Sequence, residues 1–191
     1  MAVCKMLEEM KISIVRSDRK TLAIQLKNGQ VIARAPRKMK DKEIYAFIES
    51  KREWIEKHLS VQLARQEKAA ALPKFTPEEI KALAQKAMQI IPQRLDFYAE
   101  RIGVTYNRIT IRCQRTRWGS CSSQGNLNFN CLLVLLPGEI MDSVIVHELC
   151  HRKHMNHSKQ FYAEIEKVFP DYPRCHQWLN ENGSLYLSRL P

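Results

Sequence analysis

Five consecutive residues, His147-Glu148-Leu149-Cys150-His151, constrain this chain more than any other stretch. They follow an apolar run from Ile140 to Val146 whose periodicity predicts a helix. On a helix, residues four apart stand one above the other on the same face. His147 and His151 can therefore aim two imidazole nitrogens at one point, each about 2.0–2.1 Å from a zinc ion. Glu148, beside the first histidine, is placed to take a proton from a metal-held water rather than to bind the metal. The pattern is that of metal-assisted hydrolysis.

A catalytic zinc ordinarily has three protein ligands. His154 shares the helical face, but a rise of about 1.5 Å per residue spreads His147, His151 and His154 over roughly 10 Å, too far for one ion. His157 follows Met155-Asn156, where the helix is expected to stop and the chain to turn back. The spacing His147-x3-His151-x5-His157 makes His157 the favoured third ligand, with His154 beside the site or on the surface. Glu164, on the next expected helix, is the rival.

Hydrophobic content of 45% and charged content of 27% describe an ordinary globular chain. No apolar stretch approaches the roughly 18 residues of a membrane span. The N-terminus lacks the layout of a secretory signal, since Lys5, Glu8, Glu9 and Lys11 interrupt it. Six cysteines without a C-x-x-C pair and without an export signal predict reduced thiols in a cytoplasmic protein. The net charge of +11 is uneven: residues 1–74 carry 17 Lys and Arg against 9 Asp and Glu, residues 103–191 carry 10 against 7. A basic N-terminal portion can attract nucleotides, nucleic acid or acidic protein, or simply maintain solubility.

The chain reads as α+β in two parts, 1–74 and 75–191. Ile12, Ile14, Leu22, Ile24 and Leu26 alternate with polar residues, and Asn28-Gly29 predicts a hairpin turn. A helix from Asp41 carries Ile44, Phe47, Ile48, Trp54, Ile55 and Leu59 on one expected core face. Residues 60–74 read as a fraying helix end or linker. Thr76-Pro77-Glu78-Glu79 is a capping box, and Pro92 is expected to kink or restart the helix that follows. Strands are expected around residues 104–111 and 127–130, with Cys131–Leu136 as a buried strand running inward. Ser158 caps a further helix, and Gly183 is the expected stop of the last segment.

Arg117-Trp118-Gly119-Ser120-Cys121, Asn126-Leu127-Asn128, the His147–His151 motif and Asn156-His157-Ser158 together resemble the YgjP-like metallopeptidase family, related to SprT-like and WLM zinc proteases. Arg16-Ser17, Lys20-Thr21-Leu22, Arg34-Ala35-Pro36 and Trp54-Ile55 extend the likeness over nearly the whole chain. The chain departs from the pattern at Cys131, where relatives more often carry tryptophan. The resemblance implies a zincin-like catalytic domain, its HExxH helix against a small β-sheet, behind a small N-terminal β-hairpin and helix domain. It implies a Zn2+ cofactor on His147, His151 and His157, Glu148 as catalytic base, and a peptide or protein substrate.

Gly119 permits a turn that a side chain would block. Around it, Trp118 can wall a cleft and Arg115 or Arg117 can meet an acidic group or a developing oxyanion; alternatively the stretch is a buttressed turn. Asn128 completes the substrate-contact set. A strand next to the metal helix can pair with an extended peptide, and residues 126–131 are the candidate for part of that sheet. Two other functions compete with peptide hydrolysis. One is pyrophosphate release from a nucleoside triphosphate, UTP in particular, an activity associated with YgjP-like proteins. The other is a nucleic-acid- or partner-binding module with a structural metal.

Overall fold

The computed structural model describes residues 12–27 and 29–191. The chain divides into two compact units, Met1–Ala71 and Leu72–Pro191. In the first, period-two alternation builds three strands, β1 (Ile12–Ser17), β2 (Ala23–Lys27) and β3 (Gln30–Pro36), in the order β1-β3-β2. β2 and β3 pair antiparallel as a hairpin, while β1 runs parallel to β3. Gly29 at the turn has φ 74°, a conformation open to glycine at no steric cost. Asn28 lies outside the described residues, as does Cys4.

Alternate β3 residues Val31, Ala33 and Ala35 are fully buried against Ile44 and Ile48 of α1 (Asp41–Ser50) and Ile55 and Leu59 of α2 (Arg52–Ala71). The helix expected from Asp41 is thus two helices, broken at Lys51, whose N–H reaches back to the Ile48 carbonyl. Residues 60–71, expected as a frayed end or linker, continue α2 without interruption. Trp54, expected in the core, is 44% exposed and stacks on His58 outside it. Ile55 takes the core position instead, and one residue along a helix is a rotation of about 100°.

In the second unit Thr76 closes its capping box, the Glu79 N–H donating to Thr76 Oγ1 and the Thr76 N–H to Glu79 Oε2. The helix it starts, α3 (Pro77–Ile102), runs through Pro92 without restarting and ends at Gly103, φ 71°. Its buried stripe of Ala87, Ile91, Leu95, Tyr98 and Ile102 belongs to the same core as α4 (Gly138–Cys150). Arg94 Nη1 donates to both oxygens of the buried Asp142, at 2.7 and 2.6 Å, and Tyr98 Oη donates to one of them at 3.2 Å. These bonds join α3 to α4.

The sheet of this unit has the order β4-β6-β5, from β4 (Arg108–Arg112), β5 (Gly119–Cys121) and β6 (Asn126–Asn130). β4 is parallel to the central β6 and β5 antiparallel to it. Leu127 and Phe129 of β6 are buried with α4 in the main core. The expected strand at Cys131–Leu136 is instead a 3-10 helix, Cys131–Leu135. Asn130 Oδ1 accepts from the Leu132 N–H and turns the chain, and an unbroken apolar run does not by itself separate a buried strand from a buried helix.

Two helices follow, α5 (Lys159–Val168), capped by Ser158, and α6 (Tyr172–Leu187). Gly183, the expected stop, lies within α6, and a Cβ there would stand 2.9 Å from Trp118 Nε1. It is glycine because the indole packs on the helix. The five described cysteines are free thiols, with Cys113 Sγ 2.8 Å from Cys131 Sγ. No helix among the described residues is long and apolar enough to cross a membrane.

Candidate metal centre

Helix α4 is apolar nearly all round and buries ten residues from Ile140 to Cys150, so His147 and Glu148 in its last turn are held by a packed scaffold. The helix ends at Cys150, a turn earlier than the sequence predicts. His151 is its C-cap, and the Lys153 and His154 N–H groups both return to the Cys150 carbonyl. The chain then doubles back and delivers His157 immediately before the Ser158 cap of α5. His147 Nε2 and His157 Nε2 are 3.2 Å apart, and one nitrogen from each of His147, His151 and His157 falls within 4.8 Å of the others. The fully buried Phe161 ring packs against all three imidazoles, at centroid distances of 5.0, 4.6 and 5.0 Å.

The second ring nitrogens of His147 and His151 are occupied. His151 Nδ1–H donates to the main-chain carbonyl of His154 at 3.0 Å, and His147 Nδ1 lies 2.7 Å from the Tyr172 hydroxyl. A carbonyl only accepts, so the His151 proton sits on Nδ1 and its Nε2 lone pair is free. Burial, reinforced by the neighbouring His151 and His157, pushes His147 down to about 3, and burial also lowers His151. Both are therefore neutral imidazoles at physiological pH, the form that ligates metal. Four ligands about 2.0–2.1 Å from a tetrahedral zinc stand about 3.3 Å apart, close to the His147–His157 separation. The donor set fits such an ion. His154 contributes its carbonyl rather than its ring, and Glu164 is engaged by Lys153 at 2.6 Å and Lys167 at 3.1 Å, outside the group.

Glu148 is 6% exposed. Burial pushes its carboxyl up to about 8, while the positive charge of Arg117 pulls the other way. Strand β5 lies directly on it: a Cβ at Gly119 would stand 2.6 Å from Glu148 Oε1 and 2.7 Å from Cγ. Only glycine admits the carboxylate there. A cavity of about 280 Å³ opens on one side, lined by Arg117, Trp118, Val144, Leu179, His147 and Glu148 among others. A second hollow of about 280 Å³ lies along Gly119, Ser120 and Cys121 toward His151, Met155 and His157. Arg117, Gly119, His147 and Glu148 line both, so the triad is flanked by open space on two sides.

Of the expected substrate contacts, the structure brings Arg117 and Trp118 to this cleft. Arg115 is exposed and lines neither hollow. Asn128 lines neither, its amide donating to Ser120 Oγ at 3.1 Å and accepting from Arg112 Nε at 3.0 Å. It serves the sheet. Residues 126–130 form β6 and so belong to the sheet beside the metal helix, as expected; because β6 is central, with β4 and β5 on its two sides, main-chain pairing with a peptide falls to another strand. The sheet's edge strands are β4 and β5, and of these β5 is the one that lines the site. The Asn130 N–H donates to the Trp118 carbonyl and the Ser122 N–H to the Asn126 carbonyl. By antiparallel alternation, Trp118, Ser120 and Ser122 face β6, and the main-chain groups of Gly119 and Cys121 face away from it.

Three residues that shape the site escape sequence reasoning. Phe161 reads only as a core residue, and Tyr172 carries no motif. Asn130, whose Nδ2 donates to the carbonyls of Gln114 and Arg117 at 2.6 and 2.9 Å, pins the loop before β5. Its signal is a polar residue placed where an alternating strand meets an apolar run.

The family model described as "YgjP-like, metallopeptidase domain" matches residues 20–82 and 76–182. Among solved structures, the metallopeptidase zymogen of Pyrococcus abyssi abylysin is similar with a TM-score of 0.44 and 23% identity, covering 48% of this chain and 94% of that one. No curated protein matches the chain.

Proposed function

This chain belongs to the YgjP-like metallopeptidase family, and from that premise we propose that it is a zinc-dependent peptidase whose second unit is zincin-like. The observation that carries the reading is the convergence of His147, His151 and His157 beside a buried Glu148. Zinc bound there would supply Lewis acidity, polarising a scissile carbonyl and lowering the pKa of water towards about 7. A cation in the triad also favours the charged form of the neighbouring carboxylate. Glu148 then takes the proton of the attacking water and returns it to the leaving amine nitrogen.

The rest of the cleft supplies binding. An extended substrate meets the outward N–H and C=O groups of Gly119 and Cys121, adding a strand to the free edge of β5. Trp118, Val144 and Leu179 offer apolar walls on one side of the triad. The Arg117 guanidinium brings positive charge to the same place.

Zinc-loaded protein should cleave an unfolded polypeptide. Glu148→Gln should retain zinc by elemental analysis while cleavage falls at least about 10²-fold, the scale of a lost general base. Undiminished cleavage by that variant overturns the assignment. Pyrophosphate release from UTP and salt-dependent DNA binding, measured on the same preparation, test the two competing functions; no described feature of the site favours either.

A further inference from the structure

We propose that Tyr172 is a positioning residue of the triad: its hydroxyl oxygen accepts the Nδ1 proton of His147 and so aims His147 Nε2 at the other two imidazoles. The inference rests on the reading that the triad holds zinc. The hydroxyl is 2.7 Å from His147 Nδ1, and Tyr172 is 4% exposed. Its ring lies nearly parallel to that of His147, 20° off at 6.0 Å, and is backed on α6 by His176, 27° off at 5.5 Å. The phenol has little freedom to leave.

The direction of the hydrogen bond follows from valence. A neutral imidazole has one N–H and one lone pair, and a phenol can both donate and accept. Once the His147 Nε2 lone pair is given to a cation, the proton must sit on Nδ1 and the phenol oxygen must accept it. His151 solves the same problem differently, through the main-chain carbonyl of His154, three residues along. The two ligands on α4 are thus oriented by unlike partners. One is built into the turn; the other is a side chain from a helix 25 residues further on. Tyr172 is also a neutral acceptor where a carboxylate is common. It fixes the ring without adding negative charge to the ligand set.

The test compares the full chain with Tyr172→Phe, which removes one oxygen and keeps the ring. Both are stripped with a chelator and titrated with zinc against a chromophoric competitor. Zinc affinity should fall roughly 10–100-fold in the variant, as for loss of other such partners. The metal-free protein should melt within a few degrees of wild type, which separates positioning from folding. In zinc-loaded wild type, nitrogen-15 histidine spectra should show His147 protonated at Nδ1 and slow to exchange with water, a signal the variant loses. Zinc affinity within about twofold of wild type overturns the proposal, since such partners ordinarily matter more. So does a wild-type spectrum without a protected His147 Nδ1–H, a measurement that stands even where the variant melts early. Wild-type protein that takes up no zinc overturns the metal reading itself, a separate outcome.

Discussion

At the scale of single residues, Gly119, the first residue of β5, explains why the stretch of residues 117–121 accompanies the histidine motif. Its missing side chain is the space that Glu148 occupies, with 2.6 Å between the absent Cβ and Oε1. Gly119→Ala is therefore expected to displace the carboxylate without touching any metal ligand. Peptide cleavage should fall sharply, zinc content by elemental analysis should be unchanged, and stability should drop by about 1–3 kcal/mol, the usual cost of overpacking. The convergence of His147 and His151 was legible in the sequence because residues four apart share a helical face, and that of His157 because a metal site needs a third ligand beyond the helix. Phe161 and Tyr172 were not. Their roles depend on α5 and α6 folding back over α4, and no local pattern encodes which aromatic residue then meets which imidazole.

At the scale of elements, α3 and α4 are joined by more than apolar contact. Asp142 has a side chain only 11% exposed and depends on Arg94 and Tyr98 of α3 for its hydrogen bonds. Arg94→Met should lower stability by about 1–3 kcal/mol by leaving the carboxylate short of partners, read as an earlier denaturant midpoint. Tyr98→Phe should cost less. The capping box of α3 and the Ser158 cap of α5 were legible because caps are local devices. The 3-10 turn at Cys131–Leu135 was hidden, since its cause is the Asn130 side chain bending the backbone. The exposure of Trp54 and the interior position of Gly183 were hidden for a related reason. Each depends on what packs beside a helix, and the helix's own periodicity is silent on that.

At the scale of the whole molecule, each unit has its own core, one around Val31, Ile44 and Ile55, the other around Ile91, Phe129, Ile145 and Phe161. The triad and the cleft residues all belong to the second. A fragment of residues 72–191 is expected to unfold cooperatively by circular dichroism and to titrate zinc with wild-type affinity. Weaker zinc binding would tie the site to residues 1–71. The start of this unit is clasped to its end: Phe75 N–H donates to the Arg189 carbonyl, Arg189 Nε to the Pro73 carbonyl, and Lys74 Nζ to the Ser188 carbonyl. Phe75 and Leu190 share a small buried cluster with Cys131 and Leu132, and Trp118 packs on it. The last residues of the chain therefore act as a wedge behind the cleft wall. Removing them should free the indole on that side; under the proposed function, KM for a peptide should then rise while zinc content stays unchanged.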